Sequence, residues 1–213
     1  MIAIIDYGVG NLFSLKSSLA QLGQDTVVTA DPDTIRKADR LILPGVGAFG
    51  DAMDKLVATG LVPVIRAEVE KKPLLGICLG MQMLFDESEE FGLHKGLGLI
   101  PGRVVKIPST DVQGRPQKVP HISWDPLNPA GGRTDFAGTV LAGVTPGEER
   151  YFIHSYEAKP ADEADRLADT VYGGRAVCAA AAHGSVVGCQ FHPEKSGKVG
   201  LKIIEEYLNR AGE

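Results

Sequence analysis

The sequence has little cysteine, and its few cysteines are not arranged for cross-linking. Three of the 213 residues are cysteine, an odd number, and none forms a Cys-x-x-Cys pair. This argues against both a disulfide scaffold and a structural zinc site. Because reduced thiols are typical of proteins that stay inside the cell, the expected location is the cytoplasm.

Long apolar runs and an excess of basic residues are also missing. No run approaches the about 20 apolar residues of a membrane-spanning helix, and residues 1–6 (MIAIID) lack the basic start of a signal peptide. Lysine and arginine number 22 against 27 aspartates and glutamates, a net charge of −5. The sequence therefore predicts neither a membrane nor a nucleic acid as partner. We also expect no metal and no cofactor.

The rest of the composition is that of an ordinary globular protein, with 44% apolar and 23% charged residues. A chain of this length buries roughly 70% of its extended surface on folding, so its core needs no cross-link. No internal repeat or low-complexity linker interrupts the sequence. We therefore expect one domain, residues 1–213.

The first 90 residues alternate short apolar runs with helical periodicity. Leu12, Leu15, Leu19 and Leu22 fall on one face of a helix, and Gly23 is placed to end it. The alternation predicts βαβ units, and hence an α/β fold with an open, largely parallel twisted sheet and helices on both faces. Its strands are predicted at residues 1–5, 26–29, 41–43 and 74–77.

The pattern changes from about residue 104, where glycine and proline turns begin to separate the apolar runs. The pair Gly173-Gly174 between two of these runs is typical of a hairpin, so we expect an antiparallel extension in the C-terminal half. Residues 108–148 are expected to form loops. A helix after Cys78 should carry Met81, Leu84 and Phe85, and another should close the chain at 203–208. Further strands are predicted at residues 104–107, 151–155, 170–172, 176–181 and 186–191.

Cys78 occupies the position of a catalytic nucleophile in a strand–turn–helix motif. It follows an apolar strand, precedes a helical segment and has a glycine two residues away on either side, at Gly76 and Gly80. This is the pattern of a nucleophile elbow with cysteine in place of serine, whose sharp turn leaves no room for larger neighbours. The start of a helix favours a thiolate, and the backbone N–H of Leu79 would face an oxyanion. The other two cysteines lie inside apolar strands and are expected to be ordinary buried thiols.

A histidine with an acidic neighbour follows the last predicted strand. In an extended segment His192 and Glu194 would point the same way, with Cα atoms about 6.6 Å apart, and Pro193 favours extended backbone at His192. The carboxylate could then hold one imidazole nitrogen and leave the other for a nucleophile. A surface histidine is the plain alternative for so short a motif. However, Cys78 and His192 both follow strand ends, where open α/β sheets place their sites.

Residues 45–50 (GVGAFG) match the glycine-rich dinucleotide fingerprint literally. The match is weak, because it follows the third predicted strand and because the acids about 20 residues on, Glu68 and Glu70, lie in a helical pattern. The alternative is a flexible loop from Gly45 to Gly47 that supplies backbone N–H groups to an oxyanion.

Residues 76–82 (GICLGMQ) and 190–196 (QFHPEKS) together resemble the class I (triad) glutamine amidotransferase family. The resemblance implies a single flavodoxin-like amidotransferase domain that hydrolyses L-glutamine through a thioester on Cys78, with His192 as acid and base and Glu194 as its support. It also implies a glutamine site and an oxyanion site. The glutamine site would comprise Gln82, Glu90, Gly45, Val46 and the backbone of Ser155 and Tyr156, and the oxyanion site Leu79, Val46 and Gly47.

Within that family, four more segments resemble the glutaminase subunits of imidazole glycerol phosphate synthases, which serve histidine biosynthesis. This implies a heterodimer with a (β/α)8-barrel cyclase, which takes the ammonia and makes imidazole glycerol phosphate and aminoimidazole carboxamide ribotide. Asn11, Trp124 and Lys195 would lie near that interface. The glutaminase would be nearly silent until the cyclase binds its ligand, with the loop at 45–47 as the moving part. The segments are 5–11 (IDYGVGN), 43–49 (LPGVGAF), 119–124 (VPHISW) and 151–156 (YFIHSY).

Three alternatives stay open. The chain could be the glutaminase subunit of another synthase, such as one for anthranilate or pyridoxal phosphate, a free-standing cysteine hydrolase of γ-glutamyl compounds, or a non-catalytic binding subunit of the same fold. The segments 5–11 and 151–156 argue against the first. The intact Cys-His-Glu set argues against the last.

Overall fold

The computed structural model describes residues 1–210. Its helices are α1 (Leu12–Gln21), α2 (Pro32–Lys37), α3 (Phe49–Ala58), α4 (Val62–Glu68), α5 (Leu79–Met83) and α6 (Gly197–Asn209), with 3-10 turns at Glu163–Asp165 and Pro193–Lys195. Its strands are β1 (Ile2–Ile5), β2 (Thr26–Thr29), β3 (Arg40–Gly45), β4 (Leu74–Cys78), β5 (Phe85–Ser88), β6 (His94–Lys95), β7 (Ile100–Lys106), β8 (His121–Pro126), β9 (Asn128–Pro129), β10 (Glu149–His154), β11 (Tyr156–Pro160), β12 (Arg166–Tyr172), β13 (Arg175–His183) and β14 (Val186–Cys189).

One eight-stranded sheet organises these elements, in the order β2-β1-β3-β4-β14-β13-β12-β9. The first five strands in that order are parallel, and the last three add antiparallel pairs. Two smaller sheets stand beside it, β10-β8 and β11-β7-β5-β6. The predicted α/β class, with a largely parallel sheet and an antiparallel extension, is confirmed. That the chain is one domain stays a prediction.

Both faces of the large sheet are covered, because successive residues of a strand point to opposite sides. In β1, Ala3 and Ile5 pack into one apolar cluster, and Ile2 and Ile4 into the other. The first cluster receives α2, α3, α4 and α5, whereas the second receives α1 and α6. This explains why β1 and β4 are apolar and buried along their whole length.

Local signals in the sequence set several helix ends. The carboxylate of Asp31 accepts the backbone N–H of Thr34 at 2.8 Å, and Pro32 opens α2. Gly23, just past α1, has a φ of +68°, the left-handed conformation that glycine adopts without strain. The Gly173-Gly174 turn joins β12 to β13 as predicted.

Two predictions about elements were wrong. The helix after Cys78 ends at Met83 and does not carry Leu84 and Phe85, because the carbonyl of Leu84 accepts the N–H groups of Leu99 and Ile100 at 2.8 and 3.0 Å. This bonding leads the chain into β5, which pairs with β7. Residues 108–148 are not all loop, since β8 and β9 lie there. The partner of β8 is β10, more than twenty residues further along the chain, so no local pattern announces the pairing.

Among residues 1–210, no helix combines the length and the apolar character needed to cross a bilayer. The same residues hold no cluster of three or more histidine, cysteine or acidic side chains that could bind a metal ion.

Candidate active site

Cys78 lies at the carboxyl end of β4 with a φ of +56° and a ψ of −112°. A positive φ is strained for any residue with a Cβ atom, and such strain is found mostly at functional sites. The side chain is only 7% exposed. The five-residue α5 that follows is short, so its dipole gives a thiolate limited support.

The glycines around the elbow are there because the backbone approaches too closely for a side chain. A Cβ atom on Gly80 would lie 1.9 Å from the carbonyl oxygen of Leu43, and one on Gly76 would lie 2.8 Å from the carbonyl oxygen of Gly80. Gly45 is equally confined, with 2.5 Å to the N of Gly80. The strand, the turn and the neighbouring β3 are therefore in direct backbone contact at Cys78.

His192 reaches the same edge of the sheet because β14 runs parallel to β4, with Cys189 paired to Ile77. The imidazole is 2% exposed. Burial alone would lower the pKa of His192, but hydrogen bonding and charge from Cys78 and Glu194 outweigh it and raise the pKa to about 9. At neutral pH His192 is therefore an imidazolium beside the sulfur of Cys78.

Glu194 fixes the other side of that imidazole, with its Oε1 2.8 Å from Nδ1 of His192. The backbone differs from the extended segment that the sequence predicted: His192 is extended, but residues 193–195 form a 3-10 turn. The hydroxyl of Ser196 donates to the carbonyl of His192 at 2.7 Å and holds this turn. The remaining oxygen, Oε2 of Glu194, is buried and has no hydrogen-bond partner among the described residues.

The loop after β3 lies next to the sulfur, because Gly45 and Cys78 are register partners in the sheet. The hydroxyl of Tyr7 donates to the carbonyl of Pro44 at 2.7 Å and anchors the start of the loop. Val46 is 42% exposed, and Gly47 has a φ of +97° that suits glycine. The loop is therefore held at Pro44, whereas Val46 and Gly47 are exposed to solvent.

Gln82 is buried one turn after Cys78 and makes two hydrogen bonds through its amide nitrogen. Nε2 donates to the carbonyl of Tyr156 at 3.0 Å and to Oε1 of Gln190 at 2.9 Å. Gln190 in turn places its own Nε2 3.8 Å from the sulfur of Cys78. Gln190 opens the motif at residues 190–196, yet the sequence alone predicts no role for its side chain.

Glu90 and the segment at 155–156 approach from the small sheets. Oε2 of Glu90 accepts the backbone N–H of Phe49, the first residue of α3, at 2.6 Å. Burial, together with the charges of Glu90 and Glu89, raises the pKa of Tyr156. Glu90 and Tyr156 thus lie near one another, and Ser155 joins β10 to β11.

Two buried histidines, His154 and His121, form a hydrogen-bonded row that ends at the backbone carbonyl of Tyr156. Nδ1 of His154 lies 2.8 Å from the carbonyl of Tyr156, and its Nε2 lies 3.1 Å from Nδ1 of His121. Burial lowers the pKa of His154 to about 3, so this ring is neutral. A carbonyl only accepts, so His154 carries its proton on Nδ1 and accepts from His121. Nε2 of His121 meets the carboxylate of Asp125 at 2.6 Å.

The three residues expected at a partner interface occupy different surroundings. Trp124 is 51% exposed and its ring lies 5.7 Å from that of Tyr151. Lys195 is exposed on the 3-10 turn after His192. Asn11 instead lines a cavity of about 10 Å³, with room for about one water molecule, that His192 also lines.

The other cysteines take no part in this arrangement. Burial raises the pKa values of Cys178 and Cys189 to about 12, so both stay protonated at neutral pH. A cavity of about 280 Å³ lies at the opposite, amino edge of the parallel strands, lined by Pro73 and Ser185 among others. It is remote from the sulfur of Cys78 and has no part in the site.

Comparisons with known proteins place the chain among the glutamine amidotransferases. The family described as glutamine amidotransferase class-I matches residues 3–209. The imidazole glycerol phosphate synthase subunit HisH 1 of Legionella pneumophila (strain Lens) is 45% identical over 208 residues, covering 97% of this chain and 98% of its own. Subunit HisH of Geobacillus kaustophilus is 50% identical over 212 residues, covering 99% and 97%.

Solved structures show the same fold at lower identity. A crystal structure of a glutamine amidotransferase superposes with a TM-score of 0.72 at 18% identity, covering 98% of this chain and 97% of that one. A chain of the PurLQS structure from Thermotoga maritima gives a TM-score of 0.69 at 20% identity, with the same coverage.

Proposed function

The chain belongs to the class I glutamine amidotransferase family, and on that premise we propose that it is the glutaminase subunit of an imidazole glycerol phosphate synthase. It hydrolyses L-glutamine to glutamate and ammonia. One observation carries the proposal: Cys78, His192 and Glu194 meet at the carboxyl edge of the sheet. They do so in a chain that matches curated HisH subunits over nearly its whole length.

The first half of the reaction follows from the charges at this edge. The thiolate of Cys78 attacks the carboxamide carbon of glutamine, and the carbonyl oxygen becomes an oxyanion. Backbone N–H groups of Leu79 and of Val46 or Gly47 stabilise that charge. The imidazolium of His192 gives its proton to the nitrogen, the C–N bond breaks, and ammonia leaves a γ-glutamyl thioester.

The second half uses the same groups in reverse. His192, now neutral, takes a proton from a water molecule, and the resulting hydroxide attacks the thioester carbon. The C–S bond breaks, glutamate leaves, and the thiolate is restored beside the imidazolium. Glu194 keeps Nδ1 of His192 protonated, so that Nε2 performs both transfers.

The groups that would hold the substrate lie around Cys78. The carboxylate of Glu90 suits the α-ammonium group of glutamine, whereas backbone N–H groups at Ser155 and Tyr156 suit its α-carboxylate. Gln82 contributes its side-chain carbonyl. Gly45 and Val46 pass beside the carboxamide, where glycine allows the loop to approach closely.

A partner subunit would take the ammonia, and the outer face of the β8–β10 sheet suits its docking. Ile122 pairs in register with Ile153, and Trp124 with Tyr151, so these four side chains share one face. Ile122 and Trp124 are about half exposed, and Ile153 is 38% exposed. Apolar and aromatic side chains of this kind anchor interfaces. We assign this face, with the nearby Lys195 and Asn11, to a (β/α)8-barrel cyclase.

The decisive experiment assays glutamine hydrolysis by the chain alone, with the cyclase, and with the cyclase and its nucleotide ligand. We expect near silence alone and strong hydrolysis in the full complex, with the loop at 45–47 turning an N–H toward the oxyanion. Cys78→Ala should abolish synthesis from glutamine yet preserve synthesis from added ammonia. Robust turnover without a partner would indicate a free-standing hydrolase instead, and glutamine-dependent synthesis by Cys78→Ala would refute the catalytic assignment.

A further inference from the structure

Gln190 lies between the nucleophile and a substrate-binding side chain and has no exposed surface. We propose that it is a positioning residue for glutamine hydrolysis, which fixes the amide of Gln82 and directs an N–H at the sulfur of Cys78. The inference rests on the proposed function, because it assigns the role of a third residue within the same site.

The direction of each hydrogen bond follows from the one group that cannot donate. The carbonyl of Tyr156 only accepts, so the atom of Gln82 that faces it at 3.0 Å must be the NH2 nitrogen. That nitrogen also faces Gln190, at 2.9 Å, and it only donates. The facing atom of Gln190 is therefore its carbonyl oxygen, and its NH2 group turns toward the sulfur at 3.8 Å. Turning the amide of Gln82 would set its oxygen against the carbonyl of Tyr156, and turning that of Gln190 would set two NH2 groups against each other.

The first consequence concerns what Gln82 offers to a substrate. Both N–H groups of the Gln82 amide already donate to Tyr156 and Gln190, so only its carbonyl oxygen can contact a ligand. An acceptor at this place selects a group that donates, such as the NH2 of a carboxamide or an ammonium group. Without the oxygen of Gln190, the amide of Gln82 could turn, and this selection would weaken.

The second consequence concerns the sulfur. An N–H aimed at a thiolate stabilises its charge, and here it comes from a second side chain besides the imidazolium of His192. The backbone of Gln190 is fixed as well, because its N–H donates to the carbonyl of Ala179 in the adjacent β13 at 2.9 Å. The sheet therefore sets the distance from this side chain to Cys78.

Gln190→Met tests both consequences, because methionine has a similar volume but neither donates like an amide nor accepts strongly. Gln190→Asn is the second variant; its side chain is one methylene shorter and cannot span both partners, yet it keeps an amide. Gln190→Glu retains an oxygen facing Gln82. Thr170→Val is the matched control, since Thr170 is buried in the same sheet and its hydroxyl has no partner among the described residues.

The first measurement is the rate at which iodoacetamide alkylates Cys78 as a function of pH, which reports the thiolate without any catalytic turnover. Cys78→Ala gives the blank, and the buried, protonated Cys178 and Cys189 should contribute little. Gln190→Met and Gln190→Asn should raise the midpoint by about one to two pH units, since a hydrogen bond to a charged group is lost. The Thr170→Val midpoint should equal that of the wild type.

The second measurement is glutamine hydrolysis in the complex with the cyclase. Gln190→Met should raise KM about tenfold, because the NH2 of Gln82 loses its acceptor, and should also lower kcat. Gln190→Glu should keep KM within about twofold of the wild type, because that acceptor remains. If Gln190 merely filled space, its variants would have lower melting temperatures, but KM would not differ in this way between Gln190→Met and Gln190→Glu.

Unchanged midpoints in Gln190→Met and Gln190→Asn, together with an unchanged KM, would overturn the inference even if both variants melt earlier. If the wild-type complex does not hydrolyse glutamine, the proposed function fails. The alkylation profile still decides the role of Gln190 in that case, because it needs neither substrate nor partner.

Discussion

Replacing Cys78 by alanine should lower the pKa of His192. Burial works against the positive charge of this imidazole, and Cys78 and Glu194 together overcome it to raise the pKa to about 9. In the variant only Glu194 opposes burial, so we expect a pKa at least about one unit lower. A group with a pKa of about 9 is about 97% protonated at pH 7.5, whereas one at the ordinary 6.5 is about 9% protonated.

The assay is a pH titration of the side-chain nitrogens of histidine by NMR. His154 is an internal control, because its pKa of about 3 keeps it neutral in both proteins. A wild-type His192 that titrates near its ordinary value, or one that is unmoved by the loss of the sulfur, would refute the idea of a thiolate–imidazolium pair.

The same shift should make stability depend on pH. A histidine whose pKa is raised by folding stabilises the fold fully below its unfolded pKa, near 6.5, and loses that contribution as the pH rises through the folded value, about 9 here. The interval corresponds to about 3 kcal/mol. Urea unfolding at about pH 6 and about pH 9.5 should therefore show a greater loss for the wild type than for Cys78→Ala. Equal losses in the two proteins would contradict the pairing.

Three further substitutions, the first with a matched control, test the elbow, a buried hydroxyl of the large sheet and the carboxylate that supports His192. Gly80→Ala should lower the free energy of unfolding by at least about 3 kcal/mol in chemical denaturation, since its Cβ would lie 1.9 Å from a backbone carbonyl oxygen. Gly143→Ala is the control: its Cβ would meet nothing closer than 3.6 Å, so the free energy of unfolding should change little. Thr170→Val should raise the free energy of unfolding by about 1 kcal/mol, because it removes a buried hydroxyl that has no partner among residues 1–210. Glu194→Gln should lower both the pKa of His192 and kcat in the complex, since a neutral amide supports the imidazolium less; an unchanged NMR titration would count against that role.

Much of the fold could be predicted because its signals are local. Strands β1 and β4 are continuous apolar runs, Gly23 ends α1 in the left-handed conformation, and Asp31 caps α2. The elbow at Cys78 was likewise recognisable, since the glycines two residues away on either side are where the backbone leaves no space.

What the sequence could not predict depends on distant partners. Strand β8 lies in a segment rich in proline and glycine and forms by pairing with β10. The helix after Cys78 is cut short by bonds from residues beyond position 95. Gln190 opens the motif at residues 190–196, but its role could not be predicted, because that role depends on which amide the side chain faces. The 3-10 turn at Glu194 escaped prediction for a related reason, as α6 and Ser196 shape it.

The carbonyl of Tyr156 receives hydrogen bonds from both His154 and Gln82, and it holds no proton of its own to hand on. The hydrogen-bonded row of Asp125, His121 and His154 therefore cannot pass a proton on beyond the carbonyl of Tyr156. In the proposed reaction, the proton that His192 gives up therefore leaves on ammonia, and the one it takes back comes from an incoming water molecule rather than along this row.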